Sequence, residues 1–236
     1  GYIELLEGGN LLNHYKAQQL VSAGVGIVEK MERGQAEQVI TGGTGIVKTL
    51  GKVNDDGHPK QIVSGGSGVA VNIIRGGVQE VYEGAEYAYA ETVSGYIEGV
   101  TYHGGTQMVY GAEGGANVLD GGLQIVSKAA GATDAKGHAN SIENGGLQHI
   151  QDGSGTVIVI ESGEQKVEKG TGSAGLIETG GVQTVLTDGV GTANTVNGGA
   201  QNISGGSGDA KYLLNLGAQN IDDQGIGSVE SILSGG

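Results

Sequence analysis

The chain has 236 residues, 50 of them Gly, with one Pro, no Cys, no Trp, no Phe and a formal net charge of −14. Glycine at this level without a three-residue period excludes a collagen-like helix, the aliphatic content excludes a disordered chain, and paired glycines, at about 1 kcal/mol each relative to Ala, exclude long helices. The negative charge argues against a nucleic-acid partner and against docking on anionic lipid, and no run of eighteen apolar residues is present to span a bilayer as a helix.

Neither end of the sequence carries a signal-peptide pattern, and both fall inside a repeated phrase, so the chain is read as a segment of something longer. The absence of cysteine suits a chain exported through an oxidising compartment.

Taken in chain order, one phrase recurs. Glutamines stand at Gln19, Gln38, Gln61, Gln79, Gln107, Gln124, Gln148, Gln165, Gln183, Gln201 and Gln219, most often 17 to 19 residues apart. Two places after each comes Val21, Ile40, Val63, Val81, Val109, Val126, Ile150, Val167, Val185, Ile203 or Ile221, all β-branched. Between these lies a second phrase, Ala, two variable residues, then an aliphatic. It reads Ala70/Ile73, Ala116/Leu119, Ala139/Ile142, Ala174/Ile177, Ala193/Val196 and Ala210/Leu213, with Val157/Ile160 and Val229/Ile232 as variants. Each period therefore holds two short strands joined by glycine-rich turns, since β-branched residues favour strands and glycine supplies positive φ at corners.

One such unit cannot bury its apolar face, whereas stacked units share a continuous narrow core. The sequence predicts an all-β, right-handed parallel β-helix (a solenoid) of about a dozen rungs, roughly 18–19 residues each, as a single unit over 1–236. At about 4.8 Å per rung the rod is of order 60 Å long. A thin tube also explains the missing Phe and Trp. Gln183 and Val185, two apart, share a face in a straight strand. Either the glutamines stack inside as an amide ladder, the favoured reading, or the strand bends between the two residues.

Three steps are long and place irregular rungs or loops near 51–60, 82–105 and 127–140. The first holds "GKVNDDGHPK" and the third "SKAAGATDAKGHAN", both polar and turn-like. The middle one, "YEGAEYAYAETVSGYIEGVTYHGG", begins a stretch holding six of the nine tyrosines, Tyr82, Tyr87, Tyr89, Tyr96, Tyr102 and Tyr110. Ala90/Val93 fits the second phrase, so this step is expected to add a half-rung with tyrosines outside. Tyrosine joins an apolar face to a polar tip, which makes Tyr87, Tyr89, Tyr96 and Tyr102 the candidate ligand-binding residues. The same pattern also arises from ordinary surface strand tyrosines covering an irregular rung.

Catalysis needs clustered carboxylates with an acid or base. Asp55-Asp56 and Asp222-Asp223 are sequence neighbours that point to opposite faces in a strand or lie solvated in a loop, and Arg33 and Arg75 are the only arginines. His14, His58, His103, His138 and His149 have no metal-ligand spacing, and "GGSGDAKYL" (205–213) misplaces the aspartate of a calcium-binding glycine repeat and occurs once. No phosphate loop or catalytic triad is present. The expectation is a non-enzyme with no cofactor and no metal; a polysaccharide-degrading β-helix is a weaker alternative.

The phrase GGxQxVxxGGxAxxTxVxxGG, as it stands in 180–199, resembles the repeat of AIDA-type self-associating autotransporter adhesins. Gly-Gly precedes the glutamine by two places at Gln79, Gln107, Gln124, Gln148, Gln183 and Gln201. The match is clear from about Gln61 to the end and looser before it; the three insertions depart from it. The resemblance implies a passenger domain at the bacterial cell surface or outer membrane, or secreted, that works in adhesion and autoaggregation. Its expected partners are identical rods and a host-cell or glycan receptor. Some relatives of this type carry heptose on Ser and Thr, which makes Thr41, Ser64, Thr179 and Ser204 the matching glycosylation candidates. An alternative role follows, as acceptor substrate of a protein O-glycosyl(heptosyl)transferase. Hydroxyls beside glycine pairs also commonly satisfy turn backbone, with no modification.

Overall fold

A computed structural model describes residues 1–7, 16–32, 35–52, 58–98, 101–128, 132 and 134–235, with the backbone alone at 7, 16, 96–98 and 101–103. Among these the regular elements are twenty-two strands and no helix. They form a parallel β-solenoid of about ten stacked coils.

Two strands make each coil. The glutamine strand Val182–Val185 pairs in parallel with Glu164–Val167 on one side and Ala200–Ser204 on the other, so Gln183 lies against Gln165 and Gln201. The alanine strand Gly189–Asn197 pairs likewise with Gly170–Ile177 and Ser207–Leu214, placing Ala193 between Ala174 and Ala210. Glutamine meets glutamine at every step from Gln19 to Gln219. The repeat is thus the registration signal itself: a shift by one residue would turn every inward side chain outward.

The core is a thin column. Val28, Leu50, Ile73, Val93, Leu119, Ile142, Ile160, Ile177 and Val196 stack with the alanines through the whole length and are fully buried. The β-branched partners of the glutamines line the other wall, from Val21 to Ile203. The space between the walls is kept by a feature hidden in the sequence. A glycine two places before the alanine (Gly172, Gly191 and Gly208 among others) faces inward, and a Cβ at Gly191 would overlap Val185 Cγ2 and come within 3.0 Å of Gln183 Oε1. These glycines are there for close approach of the two walls, not for a turn.

The glutamines point inward, and the strand needs no bend: Val182–Val185 alternates half-buried and buried, with Gln183 and Val185 both inside. Each side-chain amide donates to the amide oxygen of the glutamine one coil earlier, as Gln183 does to Gln165 at 2.6 Å and Gln201 to Gln183 at 2.7 Å. The series runs unbroken from Gln38 onto Gln19 to Gln219 onto Gln201. The second amide hydrogen faces backbone carbonyls of the alanine strands, such as Thr192 O at 3.2 Å from Gln183 Nε2. A buried polar residue is admissible here because both its donors and its acceptor are used.

The long middle step differs from expectation. No half-rung is added: Ala90 and Val93 belong to the ordinary alanine strand of their coil, in register with Ala70/Ile73 and Ala116/Leu119. The surplus residues form a hairpin instead. Strand Ala85–Glu98 runs on past the core, and its end pairs antiparallel with Thr101–Gly104, Gly95 opposite Gly104. An isolated bridge, Ser94 to Gly121, ties its base to the next coil. Of the other two irregular stretches, 53–57, 129–131 and 133 lie outside the described residues; Ala135 packs with Val126 and Ile150.

Candidate functional site

Tyr87 and Tyr89 both stand on the outer side of strand Ala85–Glu98, two residues apart, and so share a face. Their rings stack with centroids 6.2 Å apart and planes 17° from parallel. The following coil makes room for them with Gly115, where a Cβ would lie 3.1 Å from Tyr87 Oη and 3.7 Å from Tyr89 Cδ2. Tyr89 donates its hydroxyl to Glu91 Oε2 at 2.7 Å, which fixes its tip.

The fold adds a second pair that no local sequence phrase marks. Tyr82 and Tyr110 follow Gln79 and Gln107 by three places, occupy one register column in adjacent coils, and stack at 5.4 Å and 29°. Tyr82 Oη donates to Glu80 Oε2 at 3.1 Å, while Glu80 Oε1 accepts from Lys60 Nζ at 2.7 Å; Tyr110 Oη contacts Met108 Sδ at 3.0 Å. Pairing was detectable only through the glutamine register, which puts positions three after each glutamine in one column.

Tyr96 and Tyr102 do not join either pair. Their backbones lie in the hairpin, beyond the far end of the alanine strand from Tyr87 and Tyr89, with Tyr96 opposite His103 and Ile97 opposite Tyr102. Their side chains lie outside the described residues.

Burial, then the Glu80 charge, pushes the Tyr82 phenol up to about 12. Burial and the hydrogen bond to Glu91 do the same for Tyr89, also to about 12. Tyr87 and Tyr110 are raised first by burial, then by Glu113 and Glu80 respectively. The cluster therefore offers protonated hydroxyls and aromatic faces whose tips are held by carboxylates. That chemistry is suited to stacking and hydrogen bonding.

The hydroxyl candidates divide in two. Thr41, Ser64 and Ser204 each follow a glutamine by three places and sit at the same corner of the coil. Thr41 and Ser64 are exposed, Ser64 Oγ lying 3.4 Å from Ile40 O. Ser204 is half-buried and donates to Asp223 Oδ2 at 3.0 Å. Thr179 is exposed at the opposite corner, after Ile177. Asp222 and Asp223 close a turn at the Ser204 corner, Asp222 in register with Ser204 and Asp223 at φ 48°; Asp55, Asp56 and His14 lie outside the described residues. Among the described residues no three His, Cys, Asp or Glu side chains gather as a metal site.

Polar side chains also bond between coils on the outer surface. Asn140 donates to Asn117 at 2.7 Å, Asn215 to Asn197 at 2.8 Å and Asn220 to Asn202 at 2.8 Å. No family model, no curated protein and no solved structure matches the chain.

Proposed function

We propose that the chain is a structural and adhesive rod, a segment of a bacterial surface passenger that brings cells together by associating with identical rods. The observation that carries this reading is the bonding of outer polar side chains from one coil to the next, the Asn202–Asn220 pair in register and the Asn197–Asn215 pair one place out of it. Coils at a fixed spacing align such side chains along the rod. Two such rods laid side by side make many weak contacts whose sum holds, although each alone does not. The sequence resemblance to AIDA-type adhesins points the same way and supplies the surface location, exported or secreted. The reading assigns no catalysis and no cofactor to this segment, and the acidic charge keeps nucleic acid off it.

Sedimentation of the purified chain over a concentration series tests this. Reversible association that weakens when Asn202 and Asn220 are both changed to Asp supports it, since like charges then line the column. A monomer at every concentration, together with failure of chain-coated beads to clump, contradicts it.

A second reading is favoured by one observation, the shared corner of Thr41, Ser64 and Ser204. Serine and threonine hydroxyls at one corner of the coil suit the chain as acceptor for a protein O-glycosyltransferase. Intact mass after co-expression with such an enzyme decides it: added hexose- or heptose-sized increments support the reading, and an unmodified mass ends it.

A further inference from the structure

A groove of about 430 Å³ runs along the outside of the last four alanine strands, Gly170–Ile177, Gly189–Asn197, Ser207–Leu214 and Ile226–Ile232. Its origin is the second sequence phrase. Ala193 and Val196 are three residues apart yet both face the core, whereas a straight strand would put them on opposite sides. The strand bends at Asn194–Thr195, and because every coil bends at the same place the outer surface is drawn in along a line parallel to the solenoid axis. Ala174, Ala193 and Ala210, whose methyls turn into the core, leave backbone as the floor.

The walls are polar and mixed in sign. Thr192 and Asp209 stand before the alanines on one side, and Asn194 and Lys211 after them on the other. Lys211 Nζ lies 5.2 Å over the Tyr212 ring, which holds its ammonium near the wall. At Gly175 the wall is open, and it must stay so, since a Cβ there would come within 2.6 Å of Ile158 O.

This chemistry selects its ligand. Strands Gly170–Ile177, Gly189–Asn197 and Ser207–Leu214 are each paired to the coils on both sides, so they offer no sheet edge along the groove for an added peptide strand. The groove's own lining holds no aliphatic side chain larger than Val229 to receive a hydrophobic anchor. Asp209 and Glu230 outnumber Lys211, which disfavours a polyanion. What remains is a chain of hydroxyl groups, able both to give and to accept hydrogen bonds at each step. We propose that this groove binds an uncharged linear polysaccharide lying parallel to the solenoid axis. The proposal goes beyond rod self-association and does not require it.

Length and continuity agree. From Ser173 to Ser228 the column advances three coils, about 14 Å. Followed the other way, coil by coil, the same column leads from Asp209 through Thr192 and Thr156 to Tyr89. The stacked Tyr87–Tyr89 pair thus stands on the groove's line four coils beyond Ser173, about 19 Å, where an aromatic face can cover a sugar ring.

The test is a nuclear magnetic resonance titration of the ¹⁵N-labelled chain with cellohexaose, maltohexaose, laminarihexaose and the hexamer of N-acetylglucosamine, with hexagalacturonate as the charged comparison. At least one uncharged hexamer is expected to shift the amide signals of Thr192–Asn194 and Asp209–Lys211 saturably. Changing Asn194→Ala and Lys211→Ala together is expected to weaken it about tenfold. Both residues are exposed, and an unchanged circular dichroism melt shows the variant folded. The proposal is overturned if no uncharged hexamer moves those signals at ~10 mM, if the shifts fall elsewhere, or if hexagalacturonate binds as well. Clumping without sugar binding defeats this proposal alone; sugar binding by a strictly monomeric chain defeats self-association alone.

Discussion

Replacing Gln183 with leucine removes one rung of the amide ladder while nearly conserving volume. Four groups lose a partner: Gln165 Oε1 loses its donor at 2.6 Å, Thr192 O and Gly172 O lose one at 3.2 and 3.4 Å, and Gln201 Nε2 loses its acceptor at 2.7 Å. Gln201 keeps only two long contacts, to Gly191 O and Asp209 O, each at 3.4 Å. Gln165 and Gln201 are completely buried, so no water relieves them. At about 1–3 kcal/mol for each orphaned group, two full orphans cost about 2–6 kcal/mol, and the added apolar burial of leucine returns about 1–2 kcal/mol. The expected net loss is about 3 kcal/mol, or about 6–12 °C in Tm for a chain of this size. Gln219→Leu, in the last, partly exposed coil, should cost about 1 kcal/mol because solvent reaches that end. Guanidinium and thermal unfolding of the two variants beside the parent measure both. If Gln183→Leu matches the parent in stability, or costs no more than Gln219→Leu, the ladder is filler and the reasoning fails. Gln183→Glu adds a pH signature. The folded state holds that carboxyl against Gln165 Oε1 and raises its pKa. Its stability relative to the parent then falls as pH rises above about 4.3 and levels off past the folded-state pKa.

Three more outcomes follow from the same coordinates. Gly191→Val drives a branched side chain into Val185 and Gln183 and should cost about 2–4 kcal/mol in a urea titration; Gly24→Ala, whose Cβ meets nothing within 4 Å but whose φ is 71°, should cost about 1 kcal/mol. Leu216, exposed and held at φ 68° after Asn215 at φ 47°, occupies a turn that prefers Asn-Gly; Leu216→Gly should stabilise the chain by about 1 kcal/mol, and a destabilised variant would contradict the turn geometry. The Tyr82 and Tyr89 phenols, raised to about 12, should ionise as a late phase in absorbance at alkaline pH and merge with the others in denaturant. Because the folded state favours the protonated form, their contribution to stability is intact below about 10 and is lost as pH climbs through about 12.

Register was legible in the sequence because stacking demands identity: Gln183 can continue the ladder only if Gln165 and Gln201 are also glutamine. The same register, once seen, divides the hydroxyls that the glycine pairs had grouped together, with Thr41, Ser64 and Ser204 at one corner and Thr179 at another. Inward glycines such as Gly191 were not legible, since a glycine that serves a turn and one that serves a close approach look alike in one dimension. Their signal was position, two before the alanine or the valine that replaces it, with Ala88 standing there in the coil of Ala90. The insertion after Val93 was also ambiguous. Its β-branched and tyrosine content reads as strand, but sequence gives no direction to that strand, and the direction decides whether Tyr96 and Tyr102 join Tyr87 and Tyr89 or stand away from them. The outer groove escaped notice because it is made by backbone curvature at Asn194 and Lys211, not by any residue type.

The stacking itself is tested most directly by distances between spin labels placed one place after successive glutamines. Leu20, Thr184, Asn202 and Asn220 are all on the outer face of one column, Leu20 and Asn220 being exposed. With Leu20→Cys as the fixed label, pulsed dipolar spectroscopy should give about 38, 43 and 48 Å to Thr184→Cys, Asn202→Cys and Asn220→Cys, a constant step of one strand spacing per eighteen residues. Distances that fail to rise in equal steps of about 5 Å would mean that the coils are not stacked in register.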